Sequence, residues 1–235
     1  MRGLRFAVAG LLVVGMVGLA QAQFRPGGGG GGVTFLVSNK AVQEDLKLSE
    51  DQVAKLKEWG TEFRKKSAEI MKDKGVEFGK GGFGKIEPEM REKIDAANAE
   101  INKVAYTQLA DVLKKEQVER LKQIQRQQMG ASAFTNAEVA DALKLTAAQK
   151  DSVKAVMGDL QKDTKEIMGT VGGGGKGKFD FEKAQENQKK VQKLQKEYVG
   201  KLEDLLDDKQ KVAWKEMKGA EFDLTKLQFQ PRKKD

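Results

Sequence analysis

Two stretches of this chain, 42–52 and 139–149, repeat each other at a fixed offset, which forces any fold to be read as one unit used twice. Leu46, Leu48 and Gln52 lie 97 positions ahead of Leu143, Leu145 and Gln149. A second pair of stretches, 109–117 and 202–210, aligns Leu109, Leu113 and Gln117 with Leu202, Leu206 and Gln210 at an offset of 93. The glycine-rich segments between these landmarks keep the second offset, with Gly79, Gly84 and Lys85 falling on Gly172, Gly177 and Lys178. The four-residue difference therefore lies upstream of each glycine segment. Two copies make a duplication rather than a solenoid, which needs about three or more repeats to bury a continuous core.

Within each copy the apolar spacing is helical. Val53, Leu56, Phe63 and Ile70 form one seam, and Val153, Val156, Leu160 and Ile167 form its counterpart. A second long helix in copy one starts near Pro88, suited to a first helical turn, and carries Ile94, Ala97, Ile101, Val104, Leu109 and Val112. Its partner uses Ala184, Val191, Leu194, Tyr198, Leu202 and Leu205. Helices of about 25 residues span on the order of 37 Å, so each copy reads as an elongated antiparallel hairpin closed by its glycine loop. With 33% charged residues, 6% aromatics and three prolines, the chain reads as all-α, built of solvent-laced helices with narrow apolar stripes.

Ser49 with Gln52, and Thr146 with Gln149, have capping-box spacing: the hydroxyl accepts from the third helical N–H while the glutamine reaches back to the cap. Asp207 with Gln210 can do the same. Lys114 before Gln117 supplies no side-chain acceptor, so after Leu113 the chain is expected to bend weakly or continue. Leu48, Leu113, Leu145 and Leu206, just ahead of these starts, are placed to act as staples. Gly130 is suited to end a helix and marks the boundary between the copies.

The first 22 residues carry Arg2 and Arg5, an apolar run from Phe6 to Ala20, and the small-x-small tripeptide Ala20-Gln21-Ala22. This is the pattern of a cleaved secretory signal, which places the chain in the periplasm or outside the cell. An uncleaved anchor is the alternative. The expected layout is a signal peptide over 1–22, a glycine-rich segment over 23–38, a first helical unit over 39–130, a second over 131–222 and a basic tail over 223–235. The chain has no cysteine, so packing rather than disulfides must hold it together. Its formal charge of +8 loses the two signal arginines on cleavage, and the remaining excess is spread among 35 acidic residues. That distribution argues against nucleic acid as a partner.

Four sites of the form Leu-(Ser/Thr/Asp/Lys)-x-x-Gln, in helical, charged and exported sequence from about Val42 to Met217, resemble the LTxxQ motif of the Spy/CpxP family of periplasmic proteins. The resemblance implies a bent helical hairpin that pairs into a cradle-shaped dimer. It also implies a role in holding unfolded proteins without ATP, or in sensing and regulating envelope stress. Members carry two such motifs per chain, whereas this chain carries two pairs. The duplication is therefore expected to build the cradle within one chain as an intramolecular pseudo-dimer, with a homodimer as the alternative.

No catalytic residue, cofactor site or metal site is expected. Histidine is absent as well as cysteine, which removes the usual general base, thiol nucleophile and zinc ligands. Asp204, Asp207 and Asp208 read as helix-start carboxylates. Gly79-x4-Gly84-Lys85 and Gly172-x4-Gly177-Lys178 imitate a phosphate loop, but Ile86 and Phe179 occupy the magnesium-binding Ser/Thr position and no strand precedes either loop. Their lysines could touch an anionic membrane surface. Trp59, Phe63, Phe78, Phe83, Phe179, Phe181, Trp214, Phe222 and Phe229 read as concentrated near loops and helix ends. They either close the ends of the hairpins and the junction between copies, or contact partly unfolded exported proteins. In the second case Phe78, Phe83, Lys85, Lys178, Phe179 and Phe181 are the candidate client contacts. The alternative to a holding function is a structural or membrane-surface helical scaffold of the cell envelope.

Overall fold

A computed structural model describes residues 32–76, 88–169 and 181–227. The fold is all-α, with no strand among the described residues. Helices α1 (Val33–Ser38), α2 (Lys40–Asp45), α3 (Glu50–Asp73), α4 (Pro88–Leu109) and α5 (Lys115–Met129) come from the first half of the chain. A single 3-10 segment, Gly130–Thr135, links them to α6 (Ala137–Ala142), α7 (Ala147–Gly169), α8 (Phe181–Asp204) and α9 (Asp208–Lys218). The chain then runs through a strap, 219–227, that ends in a 3-10 turn over Leu224–Leu227.

Local sequence explains the repeated punctuation. Asn39 Oδ1 accepts from the Ala41 and Val42 N–H groups and starts α2, and Asn136 Oδ1 accepts from the Val139 N–H and starts α6. Each short helix ends one turn later at a lysine with φ of 51°, Lys47 in one copy and Lys144 in the other. There Leu48 N–H reaches Gln43 O and Leu145 N–H reaches Ala140 O, both at 3.0 Å, the six-to-one closure of a left-handed helix end. The side chain pays a steric cost that glycine would avoid, yet both copies keep lysine. Positive φ falls on glycine at Gly130 (φ 55°), which ends α5, and at Gly219 (φ 61°), which ends α9.

The long helices pair antiparallel. In the first half Trp59 Nε1 donates to Gln108 Oε1 at 2.9 Å while Lys74 pairs with Glu100 at 2.7 Å, so advance along α3 matches retreat along α4. In the second half Tyr198 donates to Asp163 at 2.6 Å and Asn187 Nδ2 to Ile167 O at 2.5 Å, so α7 and α8 are antiparallel as well. One core gathers Leu36, Val37, Val42, Leu56, Phe63, Leu109, Leu121 and Ile124. The other gathers Phe134, Val139, Leu143, Val153, Leu160, Tyr198, Leu202 and Trp214. Each fully buried side chain of this size contributes about 1.5–3 kcal/mol.

Three boundaries differ from the sequence reading. The segment 23–38 ends in α1, whose Val33, Leu36 and Val37 are buried in the first core; a six-residue helix directly after a glycine run offers too little periodicity to announce itself. The tail read over 223–235 contributes Leu227 to that same core, together with Phe222 from the end of the second unit. The chain also breaks after Leu113 rather than continuing, because Lys114 adopts extended backbone (φ −69°, ψ 158°) and α5 begins at Lys115.

Candidate functional site

The four motif glutamines do more than cap. Gln52 Nε2 donates to Gln117 Oε1 at 2.8 Å, and Gln117 Nε2 returns a bond to Gln52 Oε1 at 3.3 Å. The second donor of each amide goes to a helix-end carbonyl, Gln52 to Val112 O at 2.9 Å and Gln117 to Leu46 O at 3.0 Å. Each Oε1 also accepts from its own cap, from Ser49 N–H at 3.1 Å and Lys114 N–H at 2.9 Å. Both side-chain amides thus use two donors and two acceptors, their full capacity.

The second half repeats this clasp. Gln149 and Gln210 exchange bonds at 2.6 and 3.0 Å, donate to Leu205 O and Leu143 O, and accept from Thr146 and Asp207 N–H. Gln210 is buried, and its clasp closes with Ser-like hydroxyl and carboxylate caps on both sides: Thr146 Oγ1 accepts from Gln149 N–H and Asp207 Oδ1 from Gln210 N–H. In the first clasp only Ser49 does so, since the Lys114 side chain accepts nothing. Lys114→Ser is therefore expected to stabilise the protein by about 1 kcal/mol, the usual worth of an N-cap acceptor, read as a shift of the urea midpoint at unchanged slope.

Leu113, Leu145 and Leu206 are buried beside the clasps, and Leu48 packs partly buried on the first core. The motif residues are thereby all drawn into joining the start of each long helix to the end of its partner. Of the candidate client contacts, Phe78, Phe83, Lys85, Lys178 and Phe179 lie outside the described residues, as do both glycine loops and residues 1–22. Phe181 opens α8, and its side chain lies outside them too.

The described aromatics separate into two groups. Trp59 stacks on Phe63 at 4.8 Å within α3, beside the C-terminal end of α4, where its Nε1 meets Gln108. Trp214 lies against Phe134 at 4.6 Å where the linker meets α9, closing the second core near the junction of the halves. Sequence reading missed Phe134 as an anchor because it stands alone between a glycine and a polar turn.

The junction is polar at its rim. Arg120 grips Asp45 with two bonds of 2.7 and 3.1 Å and spends Nη1 on Ala220 O at 2.6 Å. Arg126, only 11% exposed along its side chain, donates to Met217 O at 3.0 Å and lies 3.4 Å from Glu119 and 3.7 Å from Glu138. Gln127 Nε2 bonds Lys218 O and Ala220 O while its Oε1 accepts from Phe222 N–H at 2.8 Å. Asn39 Nδ2 completes the set on Lys226 O at 3.2 Å. Five of these contacts end on main-chain carbonyls, so one half of the molecule reads the backbone of the other.

The two tyrosines of the chain are both held protonated. Tyr198 is pushed up to about 12, first by its bond to Asp163 and then by burial, and burial is the main cause that raises Tyr106. The ordinary phenol titrates near about 10. Stability from the Tyr198 bond is therefore complete below about pH 10 and is lost as pH rises toward 12. Tyrosinate absorbance at 295 nm is expected to emerge together with loss of helical ellipticity above pH 11, and a free phenol titrating near 10 in the folded protein would contradict the bond.

Among the described residues there is no group of three or more side chains placed to hold a metal, and no helix long and apolar enough to cross a membrane. Compared with protein-family models, curated proteins and solved structures, the chain matches none.

Proposed function

We propose that this protein acts by binding: an exported, ATP-independent holding protein or envelope-stress accessory that engages partly unfolded chains in the periplasm or outside the cell. The observation that carries the reading is the pairing of the four Leu-x-x-x-Gln glutamines into two matched clasps. Motifs that resemble those of the Spy/CpxP family thereby fix two long antiparallel helix pairs within one chain. On this reading the two halves stand to each other as the subunits of that family's cradle, and the motif serves architecture while the outward faces of the long helices serve the client. The chain performs no catalysis, and a monomer suffices.

The test is suppression of light scattering by two or three unrelated aggregating clients, using the chain that starts at Gln23. A holding protein protects at about one molecule per client and needs no nucleotide. Protection of none of them at tenfold excess would overturn the reading and leave an envelope scaffold.

A further inference from the structure

We infer that the first half carries a peptide-binding groove between α5 and the α1–α2 junction, occupied here by the chain's own strap, and that this groove accepts other segments that turn as the strap does and bear two bulky apolar side chains five residues apart. The inference rests on the binding reading above and gives it a site.

The contacts of the strap are of two kinds. Polar ones go from side chains of the first half to main-chain atoms: Arg120 and Gln127 to Ala220 O, Asn39 to Lys226 O, and Phe222 N–H to Gln127 Oε1. Any peptide offers such carbonyls and N–H groups, so these bonds make no demand on sequence. The apolar contacts come from Phe222 and Leu227, buried in the first core, whereas Asp223, Leu224, Thr225 and Lys226 between them are exposed. The strap is thus held as a two-anchor ligand would be held.

The other half shows the same spacing at the repeat's own offset. Met129, the last residue of α5, and Phe134 of the linker, also five apart and 93 positions ahead of Phe222 and Leu227, pack against and into the second core. There the occupant runs directly from α5 into α6, so helices secure it at both ends. The strap is secured by a helix only at its α9 end among the described residues. One groove is filled by a linker bounded by a helix on each side, and its counterpart by a strap held through two apolar anchors and main-chain hydrogen bonds. Such a segment is a built-in competitor, and clients reach the groove when it lifts.

A fluorescein-labelled peptide of the strap sequence, Gly219 to Leu227, provides the probe. Against the full chain carrying Phe222→Ala and Leu227→Ala, anisotropy is expected to report binding at least tenfold tighter than to the unsubstituted chain, and Gln127→Ala added to that variant should weaken it again. A labelled peptide with both anchors replaced by alanine should bind neither. Equal affinity for the two proteins, or equal binding of the anchorless peptide, overturns the proposal. Should the double variant lose its helical ellipticity, amide exchange on the unsubstituted chain decides: Phe222 N–H is expected to exchange orders of magnitude faster than the buried amides of α3, and exchange only with global unfolding would overturn the idea. Client protection unchanged by the double variant, without peptide binding, removes the groove but leaves the holding function. Peptide binding without client protection does the reverse.

Discussion

Phe134→Ala is expected to destabilise the protein by about 3–5 kcal/mol, the range for removing a large buried aromatic side chain. Phe134 is 1% exposed, lies against Trp214 and belongs to a linker whose other buried residues are only Ala131 and Ala133. Small residues on either side cannot expand to fill the space. The loss should fall on the second half, so tryptophan fluorescence, which follows Trp214 there and Trp59 in the first half, should resolve into two transitions in urea. Trp59→Phe in the same background isolates the weakened one. A loss under 1 kcal/mol would mean that the linker merely passes between the halves rather than sealing the second core.

Gln210→Ala ranks next, at roughly 3 kcal/mol. Truncation removes the bond to Leu143 O, both bonds exchanged with Gln149 and the return to Asp207 N–H. Buried partners left without a mate cost about 1–3 kcal/mol, and the lost half of the cap adds about 1 kcal/mol. Gln117→Ala should cost less, because Gln117 is only half-buried and water can reach the partners it leaves. Gln210→Leu keeps the volume without the bonds and should rescue little of the loss. Full rescue by leucine would assign the position to packing alone.

Helix starts were legible because capping is a local code. Ser49, Thr146 and Asp207 each announce a helix that starts at the next residue, with the reciprocating glutamine three ahead, and Gly130 stops α5 as its conformational freedom allows. The duplication was legible from register. The clasp was not, because Gln52 and Gln117 are 65 positions apart, and capping-box spacing already accounts for each glutamine singly. Nothing in a capping box says that its side-chain amide has donors left over for a distant helix. A hint lay in the pairing of the offsets, since each unit holds one glutamine at the start of its first long helix and another after its second. Lys47 and Lys144 illustrate the limit differently, because lysine carries no signal for positive φ and only the closure onto Gln43 O and Ala140 O imposes it. The strap was hidden by composition, since Phe222 and Leu227 are isolated apolar residues among charged and polar ones. Its burial depends on Arg120, Gln127 and Asn39, which lie far away in sequence.

The motif glutamines hold the long helices as mutual pairs, and a double-mutant cycle on Gln149→Ala and Gln210→Ala tests this most directly. Urea unfolding of the parent, the two single variants and the double variant gives the coupling energy. Reciprocal amide bonds of 2.6 and 3.0 Å predict at least about 1 kcal/mol of coupling, within the range found for residues sharing one hydrogen-bond network. Losses that add to within about 0.3 kcal/mol, as distant independent sites do, would reduce the glutamines to separate caps and contradict the clasp.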